Sequence, residues 1–465
     1  MHIINPSVTV KCYNSFLLHH MRKSNILTDL LVNKFEGSTA MRRIVTLLIL
    51  LCMVAYANGA ITELDSSTTP PSCPKSPDSL LCNEDPVPSS SSSASSQLSS
   101  TCDGGTVITS ICIPFTRIPS SPPPAFGHSM RSLFTLAPTY INFNSGSFGG
   151  APAAVLQQRE AWSQLCEARP DAWYRNEYKV QTRIVRAHWA KYVNSRVDDL
   201  VLVENTSAGI NAIVRSFPFN ANDGILLLST AYDMVQTTVA YTQQRYNLEV
   251  HVAQIQFPVI DATSFTRPLQ AVIDRQPKGS IKMCIFSHIT SVPAIIVPIE
   301  LLAQQCKSIG AVVVIDGAHA VGQIPVDMVA LESADIDFYV ANGHKWLFGV
   351  HGTAMLWVKS QFQSDKYIVP AVLSKTTNYV DAFEYTGTRD YDAYASLNAT
   401  FNFRSWLGDT AIQSYIKSLA DEGANYLAQL WGTELGVPLT MTHAMVGKIT
   451  KESQEKKKGR ERGVG

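Results

Sequence analysis

Val312-Val313-Val314-Ile315-Asp316-Gly317-Ala318-His319-Ala320 is an apolar run that ends on a carboxylate, with a histidine three residues on. The pattern returns as Val340-Ala341-Asn342-Gly343-His344-Lys345-Trp346-Leu347, where a second apolar run ends beside a lysine, 29 residues past Asp316. Short apolar runs bounded by turn residues read as strands covered on both faces. Working outward, Leu200–Glu204, Gly224–Ser229, Ile281–Ser287, Ala311–Asp316 and Ile336–Ala341 read the same way. Amphipathic stretches lie between them, at Ser207–Phe217, Met234–Arg245 and Pro298–Ile309. This alternation predicts an α/β fold, a mostly parallel sheet with helices on both faces. In such sheets ligands sit at the carboxyl ends of the strands, so the polar residues just past strand ends are the candidates for chemistry.

Three such places stand out. At Glu204-Asn205-Thr206-Ser207-Ala208-Gly209 a strand gives way to a helix through a hydroxyl-rich turn. Free amides at a helix N-terminus and two hydroxyls suit a phosphate, although Thr206 and Ser207 taken alone are more often simple helix caps. Asp316 closes a buried strand, where a carboxylate is costly unless it meets a cation; a helix cap is the plainer alternative. Lys345 sits among apolar residues, where a lysine loses proton affinity and becomes a usable nucleophile; the alternative is a surface lysine with its stem along the protein. An amine for a Schiff base, a carboxylate for a pyridine nitrogen and a cradle for a phosphate together fit one cofactor, pyridoxal phosphate.

At these residues the chain resembles the class V aminotransferase group of fold-type I pyridoxal-phosphate enzymes, in its isopenicillin N epimerase-like and cysteine desulfhydrase-like branch. The resemblance runs from about Tyr140 to about Thr440, and rests on Ile141–Gly149, Ser287-His288-Ile289-Thr290-Ser291, Val314–Gly322 and Gly343–Leu347. It implies that Lys345 carries the cofactor and moves the α-proton, that Asp316 pairs with the pyridine nitrogen and that His319 lies beside the ring. It further implies that Thr206, Ser207 and His344 hold the phosphate, that His288 lies near the ring's 3-hydroxyl and that Tyr232 stacks on the ring. Thr386-Gly387-Thr388-Arg389-Asp390 resembles a loop that reaches the neighbouring subunit's site, which implies a homodimer with Thr388 on the partner's phosphate. Relatives continue into a small C-terminal domain, whereas here the resemblance stops near Met441, so the expectation is a truncated small domain over 406–447. Cysteine desulfurases of the group need a mobile cysteine on a later loop, and none follows Cys306.

The flanks read differently. Met41-Arg42-Arg43, the run Ile44–Ala57 with Thr46 as its one polar residue, and Ala57-Asn58-Gly59-Ala60 form a secretory-signal pattern over 41–60. Translation from Met41 would send the protein into the secretory pathway and make residues 1–40 a gene-model extension. Action of 44–57 as a signal-anchor is the membrane-bound alternative. Residues 61–125, with nine serines among the 12 positions of Ser89–Ser100, read as a disordered linker. Cys73, Cys82, Cys102 and Cys112 lie there and fit one or two disulfides in an oxidising compartment. Cys166, Cys284 and Cys306 sit in apolar periodic segments and read as core. Lys448–Gly465, with seven basic and three acidic residues, reads as a solvated tail.

Across 465 residues, 38 Lys+Arg balance 38 Asp+Glu, which gives no global drive toward nucleic acid. The cofactor-binding domain is expected over 135–405. The activity implied is chemistry at the α-carbon of a small amino acid, by β-elimination, epimerisation or amino transfer. An inactive secreted or tethered protein that keeps the fold is the competing expectation.

Overall fold

The computed structural model describes residues 121–364, 368–374, 378–446 and the backbone of 448–449. The signal pattern, the linker and its four cysteines, and most of the basic tail lie outside the described residues.

Two long helices come before the sheet, α1 (Ala153–Ala168) and α2 (Tyr178–Tyr192), with short helical turns around them, then strand β1 (Leu200–Val203) and helix α3 (Thr206–Ser216). β2 (Gly224–Leu228), α4 (Asp233–Tyr246), β3 (Glu249–Ala253) and α5 (Thr263–Ile273) follow. Next are β4 (Ile281–Ser287), α6 (Ile299–Ser308), β5 (Val312–Asp316), α7 (Met328–Ser333), β6 (Phe338–Asn342) and β7 (Ala354–Val358). The last long elements are α8 (Tyr379–Glu384), α9 (Leu397–Leu407) and α10 (Asp409–Trp431).

The seven strands form one sheet in the order β1-β7-β6-β5-β4-β2-β3. β7 is antiparallel to both its neighbours, and the other strands share one direction. Side chains alternate along each strand, so the sheet feeds two apolar layers. Leu202, Cys284, Phe286, Val313, Ile315 and Tyr339 pack on one face, with residues of α5, α6 and α7. Val203, Ile225, Met283, Val314, Val340 and Leu356 pack on the other, with α3, α4 and α8. Cys166, Cys284 and Cys306 are buried free thiols. Burial raises the Cys284 thiol well above its ordinary range, as expected for a core cysteine beside Cys306.

Register brings the chemistry to one edge. Ser287 pairs with Asp316, Asp316 with Val340, and Asn342 and Val203 both with Ala354. The carboxyl ends of β4 and β5 are therefore level, and those of β1 and β6 lie two residues further along the same edge. The chain beyond α10 returns to this large domain: Val437 lies in the main core with Met441 and Met445 packed on it. The Ile296 amide donates to the Met441 carbonyl at 2.7 Å, and the Ala444 amide to Gln323 at 2.7 Å. Among the described residues no helix is long and apolar enough to cross a membrane.

Candidate active site

A cleft of about 690 Å³ opens at this edge, lined among others by Thr206, Ser207, Tyr232, Asp316, His319, His344 and Lys345. Seven of the residues singled out from the sequence thus meet in one place. His288 and Thr388 do not line it. His288 is buried, its Nδ1 2.8 Å from the buried Tyr339 hydroxyl. Thr388 is exposed, with Tyr385 as its hydroxyl partner at 3.4 Å.

The turn after β1 shows why hydroxyls stand where they do. Asn205 is the cap of α3: its Oδ1 accepts from the Ala208 amide at 2.8 Å. The Thr206 amide donates to Oδ1 of Asn342, at the end of β6, at 3.0 Å. Thr206 and Ser207 are thereby released from capping. The Thr206 hydroxyl is buried without a partner among the described residues, an unusual state for a polar atom at a helix N-terminus. It fits a phosphate, which would take that hydroxyl together with the Ser207 amide, the one first-turn amide that Asn342 and Asn205 do not use. Asn342 is a cleft residue that the sequence reading passed over. Its position, polar and immediately past a buried strand, was the available signal.

Asp316 is buried, and its Oδ1 accepts from the Ala318 amide at 3.0 Å. Burial raises its carboxyl above the ordinary range, while the Ala318 amide and the Lys345 charge pull it back. Lys345 Nζ lies 3.3 Å from His319 Nε2. Burial lowers the lysine's proton affinity, against the opposing pull of Asp316. His319 is pushed down to about 3 by burial and by the neighbouring Lys345 charge, so it is a neutral ring. His344 is pushed down to about 4, mainly by burial, and its Nδ1 lies 3.1 Å from the Thr353 carbonyl. With Nδ1–H donated there, Nε2 is the free nitrogen. Tyr232 is half exposed at the mouth of the cleft.

Two glycines make these approaches possible. A Cβ on Gly209 would lie 2.5 Å from Cγ1 of Val340, so only glycine lets α3 rest on β6. Gly149, at φ 71°, brings the preceding segment against the His344 and Lys345 carbonyls, where any side chain would collide. The donor set fits pyridoxal phosphate: an amine of lowered proton affinity, a carboxylate at the end of a buried strand, and an unpartnered hydroxyl beside the Ser207 amide.

Comparison with known proteins agrees. The profile described as Aminotransferase class-V matches residues 151–451, which carries the similarity about ten residues past Met441. An L-cysteine desulfhydrase-like protein, lolT1 of Epichloe uncinata, is 28% identical over 67% of this chain and 73% of its own. A putative L-cysteine desulfhydrase 1 of Oryza sativa subsp. japonica is 30% identical over 65% of each. An isopenicillin N epimerase of Streptomyces clavuligerus is 24% identical over 66% of this chain and 80% of its own. Among solved structures, a C-DES mutant with glycine covalently linked to its PLP cofactor aligns with a TM-score of 0.57 at 18% identity. That alignment covers 70% of this chain and 88% of the other. The chain belongs to the class-V aminotransferase family, with the fold-type I architecture and pyridoxal 5′-phosphate as its cofactor.

Proposed function

We propose that this protein cleaves the bond between the β-carbon and sulfur of a small amino acid, cysteine being the simplest, to give pyruvate, ammonia and hydrogen sulfide with uptake of water. The observation that carries the proposal is Lys345 Nζ held 3.3 Å from a neutral His319 in a cleft closed by Asp316. When bound, the cofactor supplies an electron sink for the charge left as the α-proton departs. Asp316 would hold the proton on the ring nitrogen, since an adjacent carboxylate raises the proton affinity of a base. The Thr206 and Ser207 hydroxyls and the Ser207 amide would hold the phosphate. Lys345 would take the α-proton, since burial lowers its proton affinity and so raises the share of unprotonated amine able to act as a base. His319, uncharged and bonded to the amine, orients it. The thiols of the described residues are buried in the core, away from this cleft, which favours release of sulfur over its capture by the enzyme. The names of the desulfhydrase relatives point the same way. Entry into the secretory pathway from Met41 and a homodimer joined through the Thr388 loop belong to the same proposal.

The test is release of sulfide and pyruvate from cysteine by the purified protein. Wild type should release both in equal amounts. Lys345→Ala should release neither and should carry no pyridoxyl mass after borohydride reduction. Deuterium at the α-carbon of recovered amino acid without pyruvate would replace this reading with epimerisation. A pyridoxyl group on another lysine would overturn the role of Lys345.

A further inference from the structure

α3 and α4 pack side by side, and each carries an arginine in its last turn, Arg215 and Arg245. Between them and the loop Val369–Ala371 lies a second cleft, about 590 Å³ in open volume. Its polar wall is Arg215, Tyr241, Arg245 and Tyr246. The Arg215 guanidinium lies over the Tyr241 ring at 5.5 Å, and Arg245 over Tyr246 at 5.6 Å. Arg245 Nη1 donates to the Tyr241 hydroxyl at 3.4 Å, so that hydroxyl keeps its own proton to give. Among the described residues no carboxylate pairs with either arginine.

A basic residue in a last helical turn is ordinary, because it offsets the roughly half negative charge of the helix end. Two full charges exceed what two such ends carry, and stacking on tyrosines holds both guanidiniums at one opening. An unpaired guanidinium pair with a free hydroxyl donor is a receptor for a dianion, and guanidinium forks match phosphate oxygens in geometry. We propose that this cleft binds a phosphate monoester. It is separate from the cofactor cleft. α3 presents its first turn to Lys345 and its last turn here, and its 11 residues span about 16 Å.

The experiment is calorimetric titration of the full chain with adenosine 5′-monophosphate, with adenosine and inorganic phosphate as parallel arms. The protein is loaded with pyridoxal phosphate, itself a phosphate monoester, and freed of excess before titration, so the first cradle is filled and no free cofactor competes for the second. Adenosine 5′-monophosphate should bind one saturable site, and adenosine should not bind. Arg215→Gln and Arg245→Gln should each weaken binding by about tenfold, and the double variant should abolish it. Both side chains are exposed, so the variants should fold, which circular dichroism checks. Inorganic phosphate competing equally well would reduce the ligand to the phosphate alone and keep the site. Unchanged binding in the double variant, or no binding to wild type at millimolar concentration, overturns the proposal. Lys345→Ala separates this site from the first: it should lose covalent cofactor and keep the nucleotide.

Discussion

Burial is the first cause of the shifts at Lys345, His319 and Asp316, and the charges of the lysine and the aspartate modify it. The lysine resists charging through burial, the histidine through burial and the lysine, and the aspartate is drawn up by burial and down by the lysine. The sign of the consequence for His319 follows from linkage. Its folded-state value, about 3, lies below the ordinary 6.5, so its neutral form stabilises the fold above about pH 6.5. That contribution is lost as the pH falls from 6.5 toward 3, at about 1.4 kcal/mol per pH unit. Urea unfolding of cofactor-free wild type and His319→Gln should therefore converge as the pH drops from 7.5 to 5.5. A gap that stays constant over that interval would show that His319 titrates as it does in the unfolded chain. The same residues show how far chemistry was readable from spacing. Amine, carboxylate and hydroxyls at strand ends were legible because each strand end carries its polar residue in sequence. His288 was placed near the ring by resemblance, yet its side chain bonds Tyr339, because one residue past Ser287 the strand alternation turns it to the opposite face.

Helix α3 depends on contact with β6 as much as on its own cap. Gly209 sits where a methyl group would meet Val340 at 2.5 Å, and β6 is fixed on both sides by β5 and β7. Gly209→Ala should push the first turn of α3 away from the sheet, at a cost of about 1–3 kcal/mol for overpacking. Cofactor affinity should fall with it, since Thr206 and Ser207 move with that turn. Val340→Ala in the same chain should restore much of the affinity by making room. Titration of cofactor absorbance in the single and double variants checks this, and an unchanged affinity in Gly209→Ala would mean the turn is not the phosphate cradle. The strands that carry site residues were legible from sequence to within about two residues, as is usual for element ends. β3 and β7 were not read as strands. β3 lies at the sheet edge and alternates polar with apolar residues, so its run Glu249-Val250-His251-Val252-Ala253 lacks the continuous apolar signature of the central strands. β7 did carry an apolar run, Ala354–Val358, but its antiparallel direction depends on pairing with β1 and β6, which no local pattern reports.

Arg404 ties distant parts of the chain to the lysine. Its side chain is buried on α9, pairs with Asp409 at 2.5 Å, and donates to the Trp346 carbonyl at 2.8 Å and the Gly322 carbonyl at 3.1 Å. The loops after β5 and β6 are thus pinned by α9. The return of Met441 and Ala444 to the same domain adds a second tie. This packing decides the fate of the two glycosylation sequons, Asn205-Thr206-Ser207 and Asn398-Ala399-Thr400. Asn398 and Thr400 are buried within α9, and a glycan there has no route to solvent. Asn205 spends its side chain on the cap of α3, and its loss would cost about 1 kcal/mol as well as the geometry of the turn. Protein folded after passage through the secretory pathway should therefore carry a glycan at neither site. Peptide mapping of active material, with and without glycosidase, measures this. A glycan mapped to Asn205 in protein that still binds pyridoxal phosphate would refute the turn as the phosphate cradle, because the sugar would occupy the space the phosphate needs.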